Sequence, residues 1–364
     1  MALLPLEAMR LAIQEGKKGA GFVSPNPLVG CVILDRERRL LAKGHHARVG
    51  QDHAEAAALR EIEDPNRLDG AHVYVTLEPC AHEGRTASCA KALARLPIAS
   101  VTYGLQDPNP LVSGKGAEIL RSAGKRVDLF ADLQDELEEL AEIFLLNQRR
   151  ARPFVALKVA STLDGRVAMH DGTSRWITGE ASRDHVHYLR GCYDAVLTGV
   201  GTFLRDDPRL NSRHGLFAAR EGKVVLLDPE GESFSALGKS GLSSVYKPEN
   251  MFIVTGQGVS APPVGRQIVA TDRGDRDFDL PGLLMVLREE GINSVFVEAG
   301  PLTASSFLRA QLVDRLYLYL APKLMGDGLS WSSALKVRTL DLAPSLKNPR
   351  WEGFGQDMMV TGRL

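Results

Sequence analysis

Four residues in the first third of the chain have the types and the spacing of a catalytic zinc site. Glu55 follows His53 after one residue, and Cys80 and Cys89 come later with eight residues between them. One imidazole and two thiolates are three zinc ligands, which leave a fourth coordination position open to water. Zinc lowers the pKa of such a water molecule, and Glu55, which is not a ligand, would carry its proton to a departing amine. The pattern predicts a hydrolytic deaminase of a pyrimidine-type base.

Two simpler interpretations fit the same residues. A surface histidine and two unrelated thiols would need no metal, and a purely structural zinc site would have a fourth ligand, for which His82 is available. The gap between the cysteines is also longer than in the common Pro-Cys-x-x-Cys deaminases. The placement of Glu55 and of both cysteines near helix starts favours the catalytic site. Cys31 and Cys192 have apolar neighbours and are interpreted as packing thiols.

Two glycine-rich segments in the second half are candidates for binding phosphate. The segment 199–202 (Gly-Val-Gly-Thr) follows an apolar strand, and its glycines would allow close approach to a phosphate, although a tight turn would need the same glycines. The segment 256–261 superficially matches a dinucleotide fingerprint. Pro262 and Pro263 follow it directly and exclude the helix whose N-terminus would hold the pyrophosphate, so we discount it.

The composition indicates a soluble enzyme whose partners are small molecules. Lys and Arg number 44 against 45 for Asp and Glu, so there is no excess of positive charge to attract nucleic acid or a membrane surface. No segment is apolar enough to span a bilayer, and Glu7 and Arg10 interrupt what would be the apolar part of a signal peptide. The sequence therefore predicts a cytoplasmic protein, in which four cysteines are thiols or metal ligands and not disulfides.

Helices and strands alternate throughout the chain, which predicts an α/β fold class with two domains. Helices between strands further predict parallel strand pairing. In the first half, the periodicity predicts helices over 5–18, from 53 onward, and over 88–95 and 132–149, with strands over 29–34, 72–77 and 99–104. A basic, proline-containing stretch follows, so we place the boundary between domains 1–148 and 149–364 there.

The second half repeats the alternation with a different spacing. An Asp-Gly turn at 164–165 follows its first strand, and the Gly- and Ser-rich stretch 228–250 is predicted to be a loop. The predicted strands are 154–160, 195–197, 224–227, 251–254, 294–297 and 316–319, and the predicted helices are 181–190, 283–290 and 302–309.

Over nearly its whole length the chain resembles the bifunctional deaminase-reductases of bacterial riboflavin biosynthesis. The first half carries the motifs Pro25-Asn26-Pro27-Leu28-Val29-Gly30, His53-Ala54-Glu55 and Thr76-Leu77-Glu78-Pro79-Cys80, and the longer cysteine spacing is that of the family. The resemblance implies a cytidine-deaminase-like three-layer α/β/α domain in which His53, Cys80 and Cys89 bind zinc and Glu55 carries the proton. Residues Asn26, His46 and His82 are implied to contact the pyrimidine, and Arg85 or the turn with Asp107 and Asn109 to contact its ribosyl phosphate. Ala87-Ser88 stands where the family usually has Pro-Pro.

The second half carries the family's reductase motifs, among them the stretch from Lys158 to Arg166 and Glu298-Ala299-Gly300-Pro301. They imply a dihydrofolate-reductase-like α/β domain that uses NADPH. Residues implied for NADPH are Ala160, Trp176, Thr202, Asp206, Gly300, Pro301, Leu302, Thr303, Ala304, Ser305 and Ser306. Residues implied for the ribosyl substrate are Lys158, Ser174, Arg190, Leu210, Arg213 and Glu298. Two departures are visible: Pro229-Glu230-Gly231-Glu232 stands where a hydroxyl and a basic residue are usual, and Asn211-Ser212 replaces Thr-Val.

The resemblance implies two successive reactions in a homo-oligomer, either a dimer or a tetramer. Zinc-dependent hydrolysis would remove an amine from a diaminopyrimidinone ribosyl phosphate, and NADPH would then reduce the ribosyl chain to ribityl. Two alternatives stay open. One is a deaminase, including a deaminase of nucleic-acid bases, with a catalytically silent second domain; the balanced charge argues against a nucleic-acid substrate. The other is a degenerate homologue in which zinc only holds the fold, against which the presence of Glu55 argues.

Overall fold

A computed structural model of the chain describes residues 2–81, 88–109, 113–271 and 278–364. The contacts between its residues divide it into two compact units, Met1–Arg150 and Ala151–Leu364, here called the first and second units. Each unit contains one main sheet with helices, so the predicted α/β class is confirmed. No helix among the described residues has both the length and the apolar character needed to cross a membrane.

The first unit is built on a five-stranded sheet with the strand order β2-β1-β3-β4-β5. Its strands are β1 (Gly30–Leu34), β2 (Leu40–His45), β3 (His72–Leu77), β4 (Ser100–Leu105) and β5 (Arg126–Leu129). Its helices are α1 (Pro5–Lys17), α2 (Ala54–Arg60), α3 (Cys89–Ala94), α4 (Lys115–Ser122), α5 (Gln134–Leu140) and α6 (Glu142–Arg149).

Alternate residues of each strand point to opposite faces of this sheet, and both faces are covered. Cys31 and Ile33 of β1 pack into a core with α2, α3 and α4. Val32 and Leu34 pack into a second core with α1, α5 and α6. The three-layer arrangement that the resemblance implied is therefore confirmed.

The predicted parallel pairing is only partly right. Strands β3, β4 and β5 are parallel, but β1 is antiparallel to both β2 and β3. The reason is a tight connection: β1 and β2 are joined through Arg38, whose φ of 62° lies in the left-handed region, so no helix separates them. The predicted helix over 132–149 is also wrong in detail, because the chain leaves helical geometry at Ala141 (φ −99°, ψ 6°) and forms α5 and α6.

The second unit is built on a nine-stranded sheet with the order β11-β10-β9-β8-β12-β6-β13-β16-β15, beside a two-stranded sheet of β7 and β14. Its strands are β6 (Phe154–Thr162), β7 (Arg166–Ala168), β8 (Ala195–Gly199), β9 (Lys223–Leu227), β10 (Met251–Thr255), β11 (Arg266–Val269), β12 (Ser294–Val297), β13 (Arg315–Ala321), β14 (Leu329–Ser330), β15 (Lys347–Phe354) and β16 (Asp357–Arg363). Its helices are α7 (Glu180–Cys192), α8 (Val200–Asp206), α9 (Phe234–Leu237), α10 (Leu280–Glu289) and α11 (Pro301–Arg309).

The neighbouring strands from β11 to β13 in this sheet are all parallel, whereas β16 pairs antiparallel with both β13 and β15. All six predicted strands and all three predicted helices of this half are present. The stretch 228–250 is more ordered than a loop, because it contains α9 and buries Leu237, Leu242 and Tyr246 against the sheet. No helix begins within residues 256–271, which confirms that the glycine-rich match there is not a dinucleotide fingerprint.

Candidate active sites

The three predicted zinc ligands lie together at one edge of the first sheet. His53 directly precedes α2, Cys80 follows β3, and Cys89 is the first residue of α3. The His53 Nδ1 atom is 3.6 Å from the Cys80 Sγ atom and 3.4 Å from the Cys89 Sγ atom. All three potential ligand atoms lie within 4.8 Å of one another.

These separations fit a tetrahedral zinc ion. With zinc–nitrogen and zinc–sulfur bonds of about 2.1 and 2.3 Å and a tetrahedral angle, the nitrogen and sulfur atoms are about 3.6 Å apart. The backbone amide of Cys89 also donates to the Cys80 Sγ atom over 3.3 Å. Hydrogen bonds from Cys89 and His53 lower the pKa of Cys80. The pKa of Cys89 is raised, because Cys89 forms a hydrogen bond to Cys80 and is buried. Without metal the pair therefore favours one thiolate, and a bound cation would stabilise the second.

Glu55 lies in the first turn of α2 and is 4% exposed. Burial raises the pKa of this carboxyl group to about 7. A group that titrates near neutrality can both accept and release a proton under physiological conditions. Behind it, Cys31 is fully buried in the hydrophobic core, as expected for a packing thiol.

Asn26 and His46 form a hydrogen-bonded pair beside the zinc ligands. The His46 Nδ1 atom is 2.8 Å from the carbonyl oxygen of Asp52, so Nδ1 carries the hydrogen. The Nε2 atom then accepts from the Asn26 side-chain amide over 3.1 Å. Burial lowers the pKa of His46, which keeps the ring neutral. The His46 and His53 ring centroids are 5.6 Å apart, so this pair borders the site where a pyrimidine would meet the metal.

The turn that contains Asp107 and Asn109 is held by a residue that the sequence analysis missed. Glu78 is 3% exposed, and its carboxylate accepts from the backbone amides of Asp107 (3.3 Å), Gly114 (3.0 Å) and Ala117 (3.1 Å). Within the turn, the Asn109 amide donates to the Asp107 carboxylate over 2.9 Å. Glu78 immediately precedes Pro79-Cys80, and an acidic residue at the end of a buried strand was the signal available in the sequence. His82 and Arg85 lie outside the described residues.

Three predicted residues of the ribosyl-substrate group meet at the carboxyl end of the second sheet. Arg190 of α7 donates from Nε and Nη2 to the two carboxylate oxygens of Glu298, over 2.5 and 3.0 Å. The Lys158 Nζ atom on β6 is 3.5 Å from the same carboxylate. Burial alone would raise the pKa of Glu298, but the charges of Arg190 and Lys158 outweigh burial and lower it to about 2. Burial also lowers the pKa of Lys158.

The other three residues of this group come from the segments before α7 and after α8. Arg213 donates to the imidazole of His187, a residue that the sequence analysis did not single out. Leu210 is buried, and its φ of 54° lies in the left-handed region. Ser174 is half-buried in the segment between β7 and α7.

The starts of α8 and α11 come together at the glycines predicted for NADPH. Gly300 precedes α11, and its amide donates to the hydroxyl of Thr202 over 3.0 Å. A Cβ atom on Gly199 would lie 2.7 Å from the Thr303 hydroxyl oxygen, which is too close, so this approach requires glycine. No side chain among the described residues caps the first turn of α11. Its free amides and the positive end of its dipole fit an anion such as a pyrophosphate.

The remaining residues implied for NADPH differ in accessibility. Ala160 lies half-buried near the end of β6, while Trp176 and Leu302 are 63% and 79% exposed. Asp206 is the last residue of α8, and its backbone carbonyl accepts a hydrogen bond from the Arg175 side chain. In α11, Pro301 and Ser306 are half-buried. Ala304 and Ser305 are buried in the core, so only the backbone of these two residues is left to contact a ligand.

The substituted stretch after β9 has a structural role of its own. Asp228 is fully buried, and its carboxylate accepts from the amides of Glu232 and Ser233 and from the Ser233 hydroxyl. Glu230 and Glu232 are exposed. The carboxylate of Asp228 therefore holds the turn together from inside.

Comparisons with known proteins give matches to both units of the chain. The family described as "RibD C-terminal domain" matches residues 153–360, and the "Cytidine and deoxycytidylate deaminase zinc-binding region" matches residues 5–105. The riboflavin biosynthesis protein RibD of Aquifex aeolicus is 38% identical over 357 residues, covering 97% of this chain and 96% of its own length. That of Escherichia coli is 36% identical over 364 residues, with 97% of both covered.

Solved structures give the same result. RibD from Acinetobacter baumannii superposes with a TM-score of 0.82 at 34% identity and 98% coverage of both chains. A diaminohydroxyphosphoribosylaminopyrimidine deaminase/5-amino-6-(5-phosphoribosylamino)uracil reductase from Thermotoga maritima superposes with a TM-score of 0.83 at 34% identity, over 98% of this chain and 97% of that one. The similarity thus extends across both units.

Proposed function

Because this chain belongs to the family of the riboflavin biosynthesis protein RibD, we propose that each unit catalyses one of two successive steps and that the residues described above have separate roles in them. The chain is a bifunctional enzyme of riboflavin biosynthesis, with a deaminase and a reductase activity and with zinc and NADPH as cofactors. We assign the deaminase to residues 1–148 and the reductase to 149–364. The division of contacts between Arg150 and Ala151 supports this boundary.

In the deaminase, His53, Cys80 and Cys89 would hold the zinc, which would supply an activated water molecule. Glu55 accepts a proton from this water and delivers it to the amino group that leaves the diaminopyrimidinone as ammonia. The pair of Asn26 and neutral His46 binds the pyrimidine beside the metal. His82 also contacts the pyrimidine, and Arg85 or the turn with Asp107 and Asn109 contacts the ribosyl phosphate.

In the reductase, NADPH supplies the hydride when bound. The start of α11 and Thr202 hold its phosphates, and Ala160, Trp176 and Asp206 border the rest of it. The ribosyl carbon of the aminouracil, in its open aldehyde-like form, is reduced to the ribityl carbon. Most of the rate acceleration comes from holding the hydride donor close to this ribosyl carbon.

The reductase substrate is held by the charged cluster at the end of α7. Arg190 and Arg213 have the guanidinium groups that bind phosphate by charge-assisted forks. Lys158 and Glu298 lie next to Arg190 and contact the sugar and the base, with Ser174 and Leu210 at the border of the site.

The observation that carries this proposal is the convergence of the three zinc ligands beside Glu55 in a chain that also brings Lys158, Arg190 and Glu298 together. The test follows ammonia release and NADPH absorbance in one sample containing the diaminopyrimidinone ribosyl phosphate. Wild type is expected to release ammonia and oxidise NADPH. Glu55→Gln should do neither, but should oxidise NADPH when given the deaminated aminouracil.

A second variant separates the two activities. Glu298→Gln is expected to release ammonia without oxidising NADPH, because it leaves the first unit intact. Ammonia release by wild type without NADPH oxidation would instead support the deaminase-only alternative. No ammonia from zinc-loaded wild type would contradict the deaminase assignment.

The protein is proposed to be a homo-oligomer, a dimer or tetramer, that works in the cytoplasm. Strand β15 is an edge of the nine-stranded sheet, and apolar side chains near it are exposed: Trp351 by 63%, Met358 by 44% and Leu342 by 68%. Such exposed apolar surface is typical of an interface. Light scattering should give a multiple of the 39.6 kDa chain mass, and Trp351→Glu should reduce it. All four cysteines are free, which suits the reducing cytoplasm.

A further inference from the structure

Both arginines proposed to bind the ribosyl phosphate are engaged by acceptors within the protein. Arg190 forms its fork with Glu298. Arg213 donates from Nε and Nη2 to the His187 Nε2 atom, over 3.1 and 2.8 Å. His187 therefore occupies, toward Arg213, the place that an anion would take.

The hydrogen bonds of His187 define its protonation state. Its Nδ1 atom is 3.3 Å from the carbonyl oxygen of Asn211, so the ring carries its hydrogen on Nδ1 and keeps a lone pair on Nε2 for Arg213. A doubly protonated ring would have no lone pair to offer. The backbone carbonyl of His187 accepts from the Ser212 hydroxyl over 2.7 Å, which fixes the ring close to the loop that carries Arg213.

The charges around His187 come from four parts of the second unit: α7, the loop after α8, the end of β12 and strand β6. Arg190 lies one turn away on α7, Arg213 comes from the loop after α8, and Glu298 follows β12, with Lys158 beside it. Arg209 adds positive charge near Arg213. Burial, followed by the charges of Arg190 and Arg213, lowers the pKa of His187 to about 4. A phosphate dianion between the arginines would oppose this effect, because it places two negative charges beside the ring.

We propose that His187 is a third, proton-dependent ligand of the ribosyl phosphate in the reductase unit. In the empty site the neutral ring accepts from Arg213. When a phosphate draws Arg213 to itself, His187 takes one proton from solvent and donates its Nε2–H group to the anion. The inference rests on the proposed function, since it assigns a new role at the same substrate site.

Sulfate is the probe that tests this coupling, because it remains a dianion from about pH 5.5 to 8.5 while phosphate titrates in that range. Inhibition of NADPH oxidation by sulfate is measured against the deaminated aminouracil ribosyl phosphate across this range. For wild type, we expect competition with the pyrimidine and an inhibition constant at least about tenfold lower at pH 6 than at pH 8, because binding takes up a proton. For His187→Gln, which can still accept from Arg213 but cannot titrate, the change should be less than about twofold.

His185→Gln is the matched control, since His185 lies on the same helix but its ring contacts Tyr319 and Phe354 and, within the described ranges, no arginine. It should keep the wild-type pH dependence. Equal pH dependence in wild type and His187→Gln would overturn the proposal, as would sulfate that fails to inhibit or that competes with NADPH. Complete absence of NADPH oxidation would instead contradict the proposed reductase function.

Discussion

Replacing Glu78 with glutamine tests whether the carboxylate behind the zinc site positions the substrate turn. Glu78→Gln keeps the side-chain shape and one acceptor oxygen, but it puts an N–H donor where the other oxygen faces a backbone amide. At least one of the three hydrogen bonds from Asp107, Gly114 and Ala117 is lost. A hydrogen bond to a buried charged group contributes about 1.5–3 kcal/mol.

The expected effect follows from where this free energy acts. If about 1.4 kcal/mol of it holds the turn with Asp107 and Asn109 in place, kcat/KM for ammonia release falls about tenfold. The fall should appear mainly as a higher KM, because Glu78 does not contact the reacting atoms. Zinc content should stay at one ion per chain, since His53, Cys80 and Cys89 are unchanged.

The second unit provides an internal control in the same sample. Reduction of the deaminated aminouracil by Glu78→Gln should match wild type, which excludes a general loss of folded protein. Glu118→Gln, at an exposed position of α4, is the matched substitution and should leave both activities unchanged. Unchanged deamination kinetics in Glu78→Gln would refute the positioning role, and loss of zinc would show that Glu78 supports the metal ligands instead.

Three other predictions concern charge and metal. Removing zinc with a chelator should abolish ammonia release and leave reduction of the aminouracil intact; loss of both in activity assays would contradict separate sites. Asp314→Asn should destabilise the second unit by about 3–5 kcal/mol in urea denaturation, because it breaks the buried fork from Arg152 at 2.7 and 2.8 Å. Glu298 has a pKa of about 2 in the folded protein against an ordinary 4.5, so its ionised form stabilises the fold above about pH 4.5. The free energy of unfolding should fall by about 3 kcal/mol as the pH falls from 4.5 toward 2. In urea denaturation, the free energy of unfolding of Glu298→Gln should depend less on pH in this range.

The zinc site could be predicted from the sequence because its geometry is local to element ends. His53 precedes a helix, Cys80 follows a buried strand and Cys89 begins a helix, and each end was visible in the hydrophobic periodicity. Six parallel strands of the second sheet were visible for the same reason, since buried strands are continuous apolar runs, whereas the parallel strand β11, with one buried residue, was not predicted. Strand β15 was not, because seven of its eight residues are exposed and carry no apolar alternation.

The residues that sequence reasoning missed act through backbone groups and long-range partners. Glu78 accepts from amides 29 to 39 residues away, and amides leave no mark in a sequence. The pairing of His187 with Arg213 spans 26 residues and joins a helix to a loop, so no local pattern predicts it. The direction of β1 was missed because the turn that makes it antiparallel to β2 has Arg38, and not a glycine, at its left-handed position.

The two sites solve the problem of a buried ionisable group in opposite ways. Glu55 is buried, and the charge of His53 does not outweigh that burial, so its pKa rises to about 7 and the group can move protons. Glu298 is equally buried but lies between Arg190 and Lys158, so its pKa falls and it remains an anion at every physiological pH. A proton carrier is needed where an amine leaves, whereas a fixed charge is needed where arginines must be held ready for a phosphate. The difference in neighbours, and not in burial, therefore separates the catalytic carboxyl group of the first unit from the binding carboxylate of the second.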